Sequence, residues 1–243
     1  MTQTRKFSEF TEQDPEVKLL LDDLVDPSVG PERYRTLMKE LGAHLGQCLL
    51  PALLEKNLPV CVVCTVEDAD YLASGLIDIL EQSQALHGKT NLLCIWNEKL
   101  KQDGLSVTPI SRQYKEPLYS DRVVYVIVKS IIASACVVKT NLTRALSINS
   151  ADDIFVVSPV LLEGAQERLA LEFPNSISDK FKYVWFATDF EIRGEEVVPG
   201  IGGSVYERLG FENENDKNRH VPLIVKERRK TRQSPVKQYA SAY

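Results

Sequence analysis

Apolar residues recur along this chain at two different spacings. Residues 31–54, PERYRTLMKELGAHLGQCLLPALL, set Tyr34, Leu37, Leu41, Leu45, Cys48 and Leu49 on one face at helical spacing, with charged side chains on the other. Pro31 suits the first helical turn, where its missing N–H is no loss. A shorter helical period covers 15–26. LPVCVVCTV at 58–66 is instead continuous and β-branched, which predicts a strand buried on both faces. NLLCIWN (91–97), RVVYVIV (122–128), DIFVVSPV (153–160) and KYVWFAT (182–188) repeat that pattern. Helical patterns at 68–82 and 162–174 alternate with them, the second closed by Pro174, and 131–146 reads as a strand-to-helix passage. Asp103-Gly104 is a turn signal and predicts a hairpin-like arm between Leu100 and Tyr114. The alternation predicts an α/β fold on a mainly parallel central sheet flanked by helices. Ligands of such sheets bind beyond the carboxyl ends of the strands, which directs attention to the loops 65–70, 129–137, 158–164 and 197–207.

Composition narrows the function. The 243 residues are 44% apolar and 26% charged, which excludes disorder and collagen-like repeats. No apolar run approaches the roughly 20 residues that span a bilayer, and the polar first 14 residues form neither a secretory signal nor a transit peptide. That start reads as a loosely held tail. Five cysteines, an odd number lying mostly in apolar segments, read as buried thiols of a cytoplasmic protein, not as a disulfide frame. Cys61 and Cys64 form a CxxC, but positions i and i+3 of a strand face opposite sides. None of the three histidines is spaced for a triad or a zinc site. With 29 basic against 34 acidic residues, the net charge of −5 makes nucleic-acid binding unexpected. One stretch, 226–237, departs from this with six basic residues and one acid, and 226–243 reads as a basic C-terminal tail. An RNA-binding role for it is the weakest functional reading.

VVPGIGGSVYERLGF (197–211) resembles the uracil-binding hood of uracil phosphoribosyltransferases, whose pattern is roughly IVPGLGDAGDRxFG. Upstream segments agree in order. ERYRTLMKELGAHL is similar to the family's N-terminal helix, VVCTVEDADYLASGL stands in place of VPILRAGLGMVDGL, and SDRVVYVIVKSIIASA stands in place of DRVVLVVDPMLATGG. Asp189 ends the stretch that matches the family's aspartate-bearing strand. The resemblance implies a type I phosphoribosyltransferase-like domain over 15–225, with a hood, a β-hairpin arm and a homodimeric assembly. It also implies ligand contacts at Val197, Pro199, Gly200, Ile201, Gly202, Gly203 and Asp189.

The family's phosphate machinery is altered. Where the family has an acid followed by a Thr-Gly-Gly turn, this chain has Lys129 and then Ser134, Ala135 and Cys136, without the glycines that ease a backbone phosphate nest. Where the family has Arg-Ala-Gly against diphosphate, this chain has Glu67, Asp68, Ala69 and Asp70. In the hood, Gly203 replaces an aspartate and Tyr206-Glu207 an Asp-Arg, while Val25 stands for an upstream arginine. Opposite charge reversals in facing loops predict that Glu67 and Lys129 pair. Thr65 to Asp68 also reads as an ordinary helix N-cap with acids at the dipole, and the two readings are compatible.

Two functions follow. In the first, the chain is repurposed and binds or transforms a small uracil-like or polar metabolite without a cofactor. Lys129, Glu67, Asp68, Asp70, Ser134 and Cys136 then carry any new chemistry, with Lys129 stabilising an anion or carbonyl and a carboxylate as base. In the second, it is a divergent but active phosphoribosyltransferase that makes UMP from uracil and phosphoribosyl diphosphate, with Mg²⁺ on the 67–70 loop.

Overall fold

The computed structural model describes residues 5–98, 100–102 and 105–232. Twelve strands appear among them: β1 (Lys6–Phe7), β2 (Val60–Thr65), β3 (Thr90–Asn97), β4 (Leu100–Gln102), β5 (Leu105–Val107), β6 (Ile110–Lys115), β7 (Arg122–Val128), β8 (Ile131–Ile132), β9 (Ser150–Leu162), β10 (Phe181–Asp189), β11 (Glu191–Arg193) and β12 (Glu196–Val198). The helices are α1 (Glu9–Gln13), α2 (Pro15–Val25), α3 (Pro31–Lys56), α4 (Val66–Asp68), α5 (Ser74–Gln82), α6 (Cys136–Leu146), α7 (Ala165–Leu171), α8 (Asn175–Ser178), α9 (Val205–Arg208), α10 (Glu214–Arg219) and α11 (Leu223–Arg232). A π-helical turn, Ala69–Ala73, joins α4 to α5.

The central sheet runs β1-β10-β9-β7-β2-β3-β6, with β8 beside the far end of β9. Its five inner strands are parallel and only the edges β1 and β6 are antiparallel. Each inner strand alternates between two apolar clusters. Val62, Cys64, Leu92, Val126 and Val157 pack with Leu37, Leu41 and Leu45 of α3 on one face. Val63, Leu93, Tyr125 and Val156 pack with Leu142 of α6 and Leu169 of α7 on the other. This explains why the strands read as unbroken apolar runs. Cys61 and Cys64 fall on opposite faces, as strand periodicity requires. Burial pushes the Cys61 thiol up to about 12, which makes it inert near neutrality.

Counted among the parallel strands alone, β2, β3, β7, β9 and β10 take the spatial order second-first-third-fourth-fifth. The chain therefore reverses direction between β2 and β7, and a crevice opens outside their carboxyl ends. α3 fixes the β2 side of that crevice by crossing the π turn with its backbone in near contact. A Cβ on Gly42 would lie 2.0 Å from the carbonyl oxygen of Leu72, and one on Gly75 would lie 2.0 Å from that of Lys39.

The described parts of both terminal segments differ from the sequence reading. Residues 6–11 are held: β1 pairs with β10, the Ser8 N–H donates to the Phe186 carbonyl at 2.9 Å, and Thr11 is buried. Backbone pairing of a two-residue strand leaves no mark in composition. At the other end, the basic stretch begins inside α11, where Arg228 is buried and donates to Glu116 at 2.9 Å and Glu81 at 2.5 Å. Residues 233–243 and the turn residues Asp103 and Gly104 lie outside the described residues, although β4 and β5 do pair antiparallel on either side of that turn. Among the described residues, no helix is long and apolar enough to cross a membrane.

Candidate functional site

The β2 and β7 strands end side by side and deliver opposite charges into the crevice. Lys129, immediately after β7, places its Nζ 2.8 Å from Asp68 Oδ2, 3.2 Å from Glu67 Oε1 and 3.4 Å from Ser130 Oγ. An ammonium has three hydrogens to donate, and these three acceptors use them. Thr65 sits at the N-cap of α4 as expected, but its hydroxyl donates to Asp68 Oδ2 at 2.8 Å and accepts no helix N–H. The predicted Glu67–Lys129 pair is thus a direct contact, extended by Asp68.

Burial disfavours the charged forms of Lys129 and Glu67, which persist through their partners. Burial pulls Lys129 down, but the Asp68 and Glu67 carboxylates outweigh it and hold the ammonium above its ordinary range. Burial likewise pushes Glu67 up, while Lys129 and Lys217 bring it below the usual carboxylate value. Lys217 of α10 is fully buried, donates to the Asn97 carbonyl at 2.9 Å and stands 5.0 Å from the Tyr206 ring centroid. Sequence reasoning did not find it, because a lysine in a polar stretch between helices carries no mark of burial. Asp68 is 1% exposed, and its Oδ1 has no hydrogen-bond partner among the described residues.

A cavity of about 300 Å³ opens above the cluster. Glu67, Lys129, Ser134, Val197, Ile201 and Gly203 line it, with Tyr206, Glu196 and the apolar side chains of Ile131 and Val138. The structure thus brings together six of the expected site residues. Asp68 lies behind them and does not line the cavity. Neither does Cys136, which begins α6. Pro199, Gly200 and Gly202 shape the hood without lining the cavity. Gly200 and Gly202 hold φ of 57° and 79°, and a Cβ on Gly202 would come within 2.7 Å of the Leu24 carbonyl oxygen.

Two expected residues face elsewhere. Asp70 accepts from the Ile224 N–H at 3.0 Å and sits 3.1 Å from His220 Nε2, beside a separate cavity of about 560 Å³ along α5 and α11. It lies in the π turn two positions after Asp68, and its contacts with α11 turn it away from the crevice. Asp189 is completely buried: Arg5 donates to its two oxygens at 2.8 and 2.7 Å, and the Gly200 N–H donates at 2.8 Å. It braces the hood against β10 and the N-terminal segment, with both oxygens hydrogen-bonded, and it does not line the cavity.

The loop from Lys129 to Cys136 does not have the geometry of a backbone phosphate nest. Asn57 is the one non-glycine residue with a left-handed φ among the described residues, so none from Lys129 to Cys136 has one, and Ala135 is right-handed at φ −76°. A nest needs left-handed residues to converge successive N–H groups. Mg²⁺ does not fit the 67–70 loop either. Glu67 and Asp68 already hold an ammonium within 3.2 Å, and Asp70 points away. Among the described residues, no group of three or more His, Cys, Asp or Glu side chains is arranged to hold a metal ion.

No family model matches the chain, and no curated protein does. Solved structures do. The AQ2163 protein from Aquifex aeolicus superposes with a TM-score of 0.63 at 14% identity, covering 82% of this chain and 96% of its own. A hypoxanthine phosphoribosyltransferase from Staphylococcus aureus matches with a TM-score of 0.38 at 12% identity, over 60% of this chain and 73% of its own. A purine phosphoribosyltransferase from Pyrococcus horikoshii Ot3 matches with a TM-score of 0.38 at 14% identity, over 60% of this chain and 82% of its own. At these identities the likeness is one of fold.

Proposed function

We propose that this chain is a phosphoribosyltransferase-type protein that no longer transfers a phosphoribosyl group, and that it holds a small planar ligand, uracil-like or otherwise polar, under its hood. The family reading rests on the sequence resemblance of the hood and upstream segments, and on a strand order that puts those segments around one crevice. The observation that carries the functional reading is the Lys129–Glu67–Asp68 cluster at the switch point. Phosphoribosyl diphosphate would bring several negative charges against two buried carboxylates. Each close like-charge pair costs about 1 kcal/mol in water and about 4 kcal/mol at an effective dielectric near 20. The one ammonium facing the cavity is already committed, and the loop lacks a backbone nest to compensate.

Transfer in this family depends on positioning the ribose and its leaving group, so losing the cradle removes most of what the protein contributes. What remains is a pocket at the small end of the ligand-binding range, suited to one ring. The test is calorimetric titration with phosphoribosyl diphosphate and Mg²⁺, with and without uracil. The expected result is no heat at millimolar ligand. Saturable binding of phosphoribosyl diphosphate, followed by appearance of UMP, would establish the active transferase instead.

A further inference from the structure

The cavity under the hood is lined by three carboxylates, Glu67 of α4, Glu196 of β12 and the neighbouring Glu195, of which Glu67 and Glu196 come from separate elements. Glu196 Oε2 lies 4.0 Å from where a Cβ on Gly203 would stand, which places that carboxylate over the hood. Its cross-strand neighbour Arg193 is turned to Glu191 at 2.6 Å, and Glu196 forms no ion pair among the described residues. The cation at the wall, Lys129, has its three donors on Asp68, Glu67 and Ser130. Lys217 is likewise spent, on the Asn97 carbonyl and, at 3.8 Å, on Glu214. The uncharged polar groups of the lining are the hydroxyls of Ser134, Ser204 and Tyr206, set among Ile131, Val138 and Val205.

A pocket of this kind offers carboxylate acceptors and an apolar wall, but no free cationic donor. Carboxylates bind planar N–H-rich cations with two parallel charge-assisted hydrogen bonds, which are stronger than neutral ones. We propose that the pocket selects a planar cation of the amidinium or guanidinium class, its ring against Ile131 and Val138 and its N–H groups directed to Glu67 and Glu196. The charge reversal relative to the phosphoribosyltransferase pattern then exchanged an anion site for a cation site, and did not merely close it. This rests on the proposed function, because it presumes that the cavity, and not a phosphate cradle, is what the site retains.

Benzamidine, benzamide and benzoate share one ring and one planar head group, and differ in being cationic, neutral and anionic. Titrated into the full chain, benzamidine is expected to bind at least about tenfold more tightly than benzamide, and benzoate not at all. Glu196→Gln, a change at an exposed residue, should weaken benzamidine severalfold and leave benzamide unchanged. Asp78→Asn, beside the other cavity, should change neither, which separates the pocket from the general attraction of an acidic protein for cations. Equal binding of benzamidine and benzamide with benzoate excluded overturns the cation site and leaves the proposed function standing. Benzoate binding as tightly as benzamidine overturns both. Binding of none of the three, or indifference of benzamidine to Glu196→Gln, overturns the cation site.

Discussion

Two buried ion pairs flank the hood, and they are built differently. Arg5 and Asp189 satisfy each other: a guanidinium fork and a backbone N–H occupy the carboxylate, and nothing opens onto a cavity. Lys129, Glu67 and Asp68 are also paired, but Asp68 keeps an orphaned oxygen, and Glu67 and Lys129 face a 300 Å³ space. The first arrangement ties the hood to the sheet. The second leaves charge where a ligand could meet it. Access to the cavity, not the presence of charge, separates a brace from a site.

The sharpest way to break this comparison is to remove the cation from each pair. Lys129→Met strands two carboxylates in the interior and should cost about 3–5 kcal/mol in urea unfolding. Neutralising all three as Lys129→Met/Glu67→Gln/Asp68→Asn should recover most of that loss. A triple variant no more stable than the single one would show that the cluster does not act as a unit. Arg5→Ala should cost about 3 kcal/mol without altering ligand binding in the cavity. A loss under about 1 kcal/mol would demote it to a surface ion pair.

The next effect is on pH. Glu67 is held below its ordinary value of 4.5, so its contribution is complete above that pH and is lost as pH falls through the folded-state value. Lys129 is raised above 10.5, so its contribution is full below that value and persists until pH rises past the folded one. Thermal melting between about pH 3 and 10 should therefore show an acid loss, with no alkaline loss from Lys129. In Lys129→Met the acid limb should flatten or reverse, because burial now favours protonated Glu67. An unchanged acid limb would mean other carboxylates dominate it.

The smallest effect concerns Asp70, which the sequence places beside Glu67 and the fold turns towards α11. Asp70→Asn should cost on the order of 1 kcal/mol and leave ligand binding under the hood unchanged. A clear loss of binding would return it to the site.

Much of this was legible in the chain itself. Continuous β-branched runs marked the five inner strands, since only strands covered on both faces can be apolar at every position. Against the pattern the chain resembles, Glu67 stands in place of an Arg and Lys129 in place of an acid, and those opposite reversals in facing loops predicted their contact. The π turn was not legible, and with it went the direction of Asp70, since one extra residue per turn has no composition signature. Nor was the pairing of Arg5 with Asp189 across 184 positions, or the burial of Lys217 and Arg228. Local pattern determines which segments become strands and helices, through the periodicity of what each must bury. Which charges end up together is decided by packing, because partners distant in sequence meet only when the sheet and its helices bring them within a few ångströms.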